Sequence, residues 1–230
     1  GDMNRIILDD IPFEVDEPGL AGLLKIRPGS RSADEFSGIL HEARSVARPK
    51  AAFVVSSVDK LSGEAVAIGG VTFTSRILRV NLEHATISYP FVATCGPEIE
   101  EWSQQMNGML HCFWADSIKL MALGCALGHL EAYLKEKTGI HGLSSMNPGS
   151  LPDWPIEEQA PLFELLGDAA AAIGVSLTGS MVIMPLKSVS GIQFISDEGF
   201  VNCSLCPREG CKGRRTPYDA SLYGARYERS

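Results

Sequence analysis

The spacing of apolar and polar positions sets out the elements. Phe36, Ile39, Leu40, Ala43 and Val46 recur at helical intervals behind Ser32-Ala-Asp-Glu35, whose Ser and Glu fit a capping box, and Pro49 closes the run. A helix is expected there. Before it, a short strand through Asp9 and Asp10 gives way to irregular chain carrying Pro12, Pro18 and Pro28. After it, three runs rich in β-branched residues, 51–58, 65–73 and 85–94, are separated by Gly or polar turns and predict an antiparallel sheet. The stretch from Glu98 to Lys137 contains no proline, and Leu110, Trp114, Ile118, Met121 and Cys125 follow one face. This predicts one long helix, or two joined near Gly108, ending at Gly139.

A Ser-, Pro- and Gly-rich loop follows, from His141 to Pro152. Asp153 is placed to cap a helix beginning at Pro155, restarting at Pro161 and stopping at Gly167. A short alanine-rich helix, strands near 181–185 and 191–195, and a tail with three cysteines complete the chain. The pattern predicts an α/β (α+β) fold: a single domain over residues 1–200 with a twisted, mostly antiparallel sheet packed by long helices. A Cys-rich basic tail occupies 201–230.

Composition changes this picture little. With 230 residues, 45% of them hydrophobic and 21% charged, the chain can bury a core without covalent staples. Gly1 in place of methionine reads as the remnant of a cleaved tag. The sequence shows neither a signal peptide nor an uncharged run of about 18–20 residues, so no membrane association and a cytoplasmic location are expected. A formal charge of -8 argues against a nucleic-acid partner, which would call for a basic face. The tail runs the other way: Arg208, Lys212, Arg214, Arg215, Arg226 and Arg229 stand against three acids from Cys203 onward.

Cysteine placement adds candidate chemistry. Cys95, Cys112 and Cys125 are scattered among apolar residues, whereas Cys203, Cys206 and Cys211 fall in one short Gly- and Pro-containing stretch. Three soft ligands beside several bases suit a thiolate-bound metal. An iron-sulfur cluster, a zinc ion and a plain thiol or disulfide loop all remain open, because a fourth ligand is not evident. His111, His129 and His141 lack the spacing that puts two imidazoles on one helical face. Nucleophile-elbow, Walker and Gly-x-Gly-x-x-Gly motifs are all missing from the sequence.

Two loops carry a family resemblance. The run Leu177-Thr-Gly-Ser-Met-Val-Ile-Met-Pro-Leu-Lys-Ser-Val-Ser-Gly191 resembles the Leu-Thr-x-Ser-x-x-x-x-Pro-x-x-Ser-Val-Ser-Gly segment of the reactivation (activation) domain of vitamin B12-dependent methionine synthase. Ser145-Met-Asn-Pro-Gly-Ser150 lies where that family has Arg-Pro-x-Pro-Gly-Tyr. Phe163-Glu-Leu-Leu166 is similar to its Trp-Glu-Leu-Leu, and Trp114-Ala-Asp116 resembles the opening of its long helix. The resemblance implies a groove for S-adenosylmethionine lined by Ser145, Asn147, Pro148, Gly149, Ser150, Ser188, Ser190 and Gly191, with Asp116 nearby. It further implies cobalamin carried on a partner, either a corrinoid protein or a corrinoid methyltransferase, which the chain would help to reactivate by reduction and methylation. Ser145 and Ser150 replace the family's Arg and Tyr, removing a guanidinium and a ring. The alternative is a non-catalytic corrinoid-protein-binding module that has lost S-adenosylmethionine. A cluster in the tail would then deliver electrons.

Overall fold

The computed structural model describes residues 4–60, 63–139, 142–196, 199–211 and 214–228. His141, Lys212 and Arg229, named above, lie outside them. The strands are β1 (Asn4–Leu8), β2 (Lys50–Lys60), β3 (Ala65–Ile68), β4 (Val71–Thr74), β5 (Ile87–Thr94), β6 (Leu143–Met146), β7 (Ser176–Leu177), β8 (Ile183–Met184) and β9 (Ser188–Ile195). The helices are α1 (Glu17–Leu23), α2 (Arg31–Val46), α3 (Arg76–Asn81), α4 (Pro97–Ser103), α5 (Met109–Thr138), α6 (Gln159–Leu166), α7 (Asp168–Ala172) and α8 (Leu222–Arg226).

Seven strands make one sheet in the order β4-β3-β2-β5-β9-β6, with β1 also paired to β2. Every pairing between these strands is antiparallel. The pleat sends alternate residues to opposite faces and gives each face its own core. Ala51, Phe53, Phe91 and Ala93 meet Leu123, Ala126, Leu130 and Leu134 of α5. Ala52, Val54, Val92, Ile192 and Phe194 meet Leu162, Leu165, Leu166 and Ile173 on the α6 and α7 side. Phe36, Leu40, Ile99 and Trp102 form a third cluster with Trp114 and Ile118, gathering α2 and α4 around the first half of α5.

Helix α5 is long and apolar enough to cross a membrane. Here its stripe from Trp114 through Leu130 to Leu134 is buried, as in the core helix of a layered domain. The helix begins after Gly108 at φ 83° and ends at Gly139, left-handed at φ 67°. The positive φ at Gly108 separates α4 from α5, so the two do not run on as one rod.

Several boundaries differ from expectation. The α2 cap is Ser30, not Ser32, and its Oγ accepts from Ala33 N at 3.2 Å. The 65–73 run is a hairpin of β3 and β4 about Gly69 and Gly70, whose φ values are 57° and 85°. Asp153 does not cap the following helix. Its Oδ2 accepts from Ser75 Oγ and, at 2.9 Å, from Ile77 N at the start of α3. The loop expected after α5 contains β6, which closes the sheet edge against β9.

The tail packs against the body. Leu205 and Tyr227 are buried with the α6-side core, and Phe200 meets Tyr227 edge-on at 6.4 Å. Tyr227 Oη donates to Asn81 Oδ1 at 2.7 Å, and Arg76 donates to the carbonyls of Tyr227 and Glu228.

Candidate functional site

The two loops singled out in the sequence meet at the β6–β9 edge. Ser145 pairs with Gln193 and Met146 with Ile192, so the chain leaving β6 runs directly over Gly191. Asn147 Nδ2 donates to Ser190 O at 2.8 Å. A Cβ at Gly191 would lie 2.4 Å from Met146 O and 2.5 Å from Asn147 Nδ2, which a packed backbone does not allow. The glycine is therefore what lets the loops close. Past this point Pro148 is buried, while Gly149 (φ 80°) turns the chain outward and Ser150 is exposed. Gly149 N donates to Trp154 O at 2.7 Å.

Alternation along β9 divides the remaining candidates. Ser190 is buried on the α6 side, where its Oγ donates to Gln159 Oε1 at 2.9 Å, and Gln159 Nε2 donates in turn to Met181 O at 3.1 Å. This chain of bonds anchors the 177–184 segment to the sheet. Ser188 Oγ donates to Thr94 Oγ1 at 2.8 Å. Asp116 forms an ion pair with Lys187 at 3.0 Å, joining α5 to the entry of β9. These three residues fasten the walls and are not among those lining the groove on the α5 side.

That groove encloses about 390 Å³. Ser144, Ser145, Asn147, Val189 and Gln193 line it from β6, its loop and β9. Phe91, Leu127 and Glu131 contribute from β5 and α5, and Phe200, Val201 and Arg215 from the tail. Ser145 also bridges to Val201, and Asn202 Nδ2 donates to Asn147 Oδ1 at 3.3 Å, so the tail is stitched to the loop. Gln193 is only 7% exposed and its Oε1 has no hydrogen-bond partner among the described residues, nor has Ser144 Oγ. Unmet buried polar atoms beside an apolar wall suit a ligand with both polar and apolar parts.

Sequence reading missed Gln193, Glu131 and the tail residues of this wall. Gln193 carries a signal in retrospect, as a lone amide between Ile192 and Phe194 in a buried strand.

Cys203, Cys206 and Cys211 are partly buried free thiols. Among the described residues no group of three or more His, Cys, Asp or Glu side chains is arranged to hold a metal. The loop instead winds around Arg214, whose guanidinium donates to the carbonyls of Cys203 (3.0 Å), Cys206 (3.1 Å) and Arg208 (2.5 Å). Arg215 N donates to Cys203 Sγ at 3.4 Å. That amide, with smaller help from Thr216 N and the two arginine charges, holds the Cys203 thiol below its ordinary pKa.

No family model and no curated protein matches the chain. A solved structure described as the MetH reactivation domain bound to AdoHcy is similar to it with a TM-score of 0.59 and 13% sequence identity. The match covers 86% of this chain and 80% of that one. The mixed architecture, with helices packed against an antiparallel sheet, agrees with that fold. The chain has the fold of the methionine synthase reactivation domain.

Proposed function

We propose that this protein acts as a reactivation-domain relative. It takes an S-adenosyl ligand into the β6–β9 groove and engages a corrinoid-carrying protein, whose cobalt it helps to return to the methylated state. The observation that carries this reading is the closure of Asn147 onto Ser190 over Gly191. It turns two distant loops into one partly apolar groove with unmet polar groups, on a fold whose solved relative holds AdoHcy. The protein's part is to bind and orient, since a reduced corrinoid supplies the nucleophile and the adenosyl compound the methyl group. A cluster or zinc ion in the tail is no part of the proposal.

Calorimetric titration with S-adenosylmethionine and S-adenosylhomocysteine tests it. Micromolar binding is expected, and Gly191→Ala should weaken it at least tenfold by forcing Met146 and Asn147 off β9. A second reading is favoured by the uncharged Ser145 and Ser150 in the loop. It describes a module that binds a corrinoid protein without an adenosyl ligand. Absence of heat with both compounds, together with co-elution with a corrinoid methyltransferase, would select that reading instead.

A further inference from the structure

We propose that Arg215, carried by the cysteine-bearing tail, is the carboxylate-binding group of the groove, and that Gln193 Oε1 receives the ammonium of the same ligand. The ligand class is thereby narrowed to compounds ending in an α-amino acid. This rests on the groove being the ligand site.

The loop over β9 brings no cation, since residues 145–150 read Ser, Met, Asn, Pro, Gly and Ser. The tail brings one. Arg214 is used up in holding the turn together through four carbonyls, and its neighbour Arg215 lines the groove with no ion pair to any described residue. Its backbone is fixed by the bond to Cys203 Sγ, and the chain just before Cys203 is bridged to Ser145 through Val201. A guanidinium carried on such a backbone can pair with a carboxylate through two parallel N–H groups. Gln193 supplies the opposite chemistry, because its buried Oε1 is an acceptor without a donor among the described residues and Gln193 lines the same groove. Leaving such an acceptor unmet is costly, and an ammonium satisfies it. Glu131 lines the same groove and ion-pairs with Lys135 at 2.6 Å, rather than with Arg215. The tail is therefore part of the ligand site.

The test is calorimetry on the full chain with three probes: S-adenosylhomocysteine, 5′-methylthioadenosine, which lacks the amino-acid end, and L-methionine, which is little else. Arg215→Ala is expected to weaken S-adenosylhomocysteine by about tenfold or more while leaving methylthioadenosine unchanged, with Arg215→Lys recovering part of the loss. Gln193→Leu should weaken the amino-acid probes in the same selective way. Thermal unfolding of Arg215→Ala should match the parent, since the side chain is exposed. Equal binding of S-adenosylhomocysteine by parent and Arg215→Ala overturns the proposal but leaves the proposed function standing, and so does an equal loss of all three probes. Arg215-dependent binding of L-methionine without any adenosyl compound supports this proposal and defeats the adenosyl reading. No binding of any probe defeats both.

Discussion

At the residue scale, two thiols in one chain are pushed in opposite directions by their surroundings. Cys203 accepts a backbone N–H from Arg215, which lowers its pKa against a weaker opposing effect of burial. Cys95 is fully buried, and burial pushes it from 9.0 up to about 12, with Glu100 adding to the rise. Alkylation requires the thiolate. With iodoacetamide near pH 8, Cys203 should therefore react ahead of Cys95 by orders of magnitude, as read by peptide mass mapping. Comparable rates would contradict the environments described. Stability has the opposite sign for Cys95. The fold favours its protonated form, so the full contribution is present below pH 9 and is lost as pH rises towards 12. The loss is on the order of 4 kcal/mol. Cys95→Ala should flatten the alkaline limb of the stability curve, and an unchanged limb would show that other groups set it.

At the element scale, α5 separates what patterning reveals from what it hides. Its length, its end at Gly139 and the burial of Trp114 and Ile118 follow from helical periodicity. The exposed Leu110 and the half-buried Met121 and Cys125 depart from the stripe, because the inner face runs through Ala115, Ala122 and Ala126. Small residues weaken the periodic signal while permitting close approach to the sheet. Strand β6 was hidden for another reason: Leu143 to Met146 holds two serines, and it becomes a strand only because β9 offers a free edge. Helix α3 is capped locally by Ser75, and the distant Asp153 adds a second acceptor at its start. The inner and outer faces of α5 should differ sharply on truncation. Leu130→Ala is expected to cost about 2–5 kcal/mol through the cavity it leaves, whereas Leu120→Ala, at a half-exposed position, should stay within about 0.5 kcal/mol. Urea unfolding with matched slopes measures both, and equal costs would mean that the stripe is misplaced.

At the scale of the whole molecule, the turn residues of the two loops were legible in the sequence, whereas of the residues expected to line the groove only Ser145 and Asn147 do so. The third wall was not legible, because the tail's cysteines and bases say nothing of where its chain returns. That return is fixed by Tyr227, whose ring is wholly buried and whose hydroxyl ends on Asn81 Oδ1, itself part of the short helix α3. A buried tyrosine combines two separable terms, ring packing and a hydrogen bond, and substitution can remove them one at a time. Tyr227→Phe keeps the ring but takes the donor from Asn81, for an expected cost of about 1–3 kcal/mol. Tyr227→Ala also empties the space beside Phe200, raising the cost to about 3–5 kcal/mol. If the tail were a separate unit over 201–230, Tyr227→Ala would leave the main unfolding transition where it is and add a second one at lower denaturant. Packed as it is on α3 and the sheet, the tail should unfold with the body in a single shifted transition, carrying Arg215 and the groove wall with it.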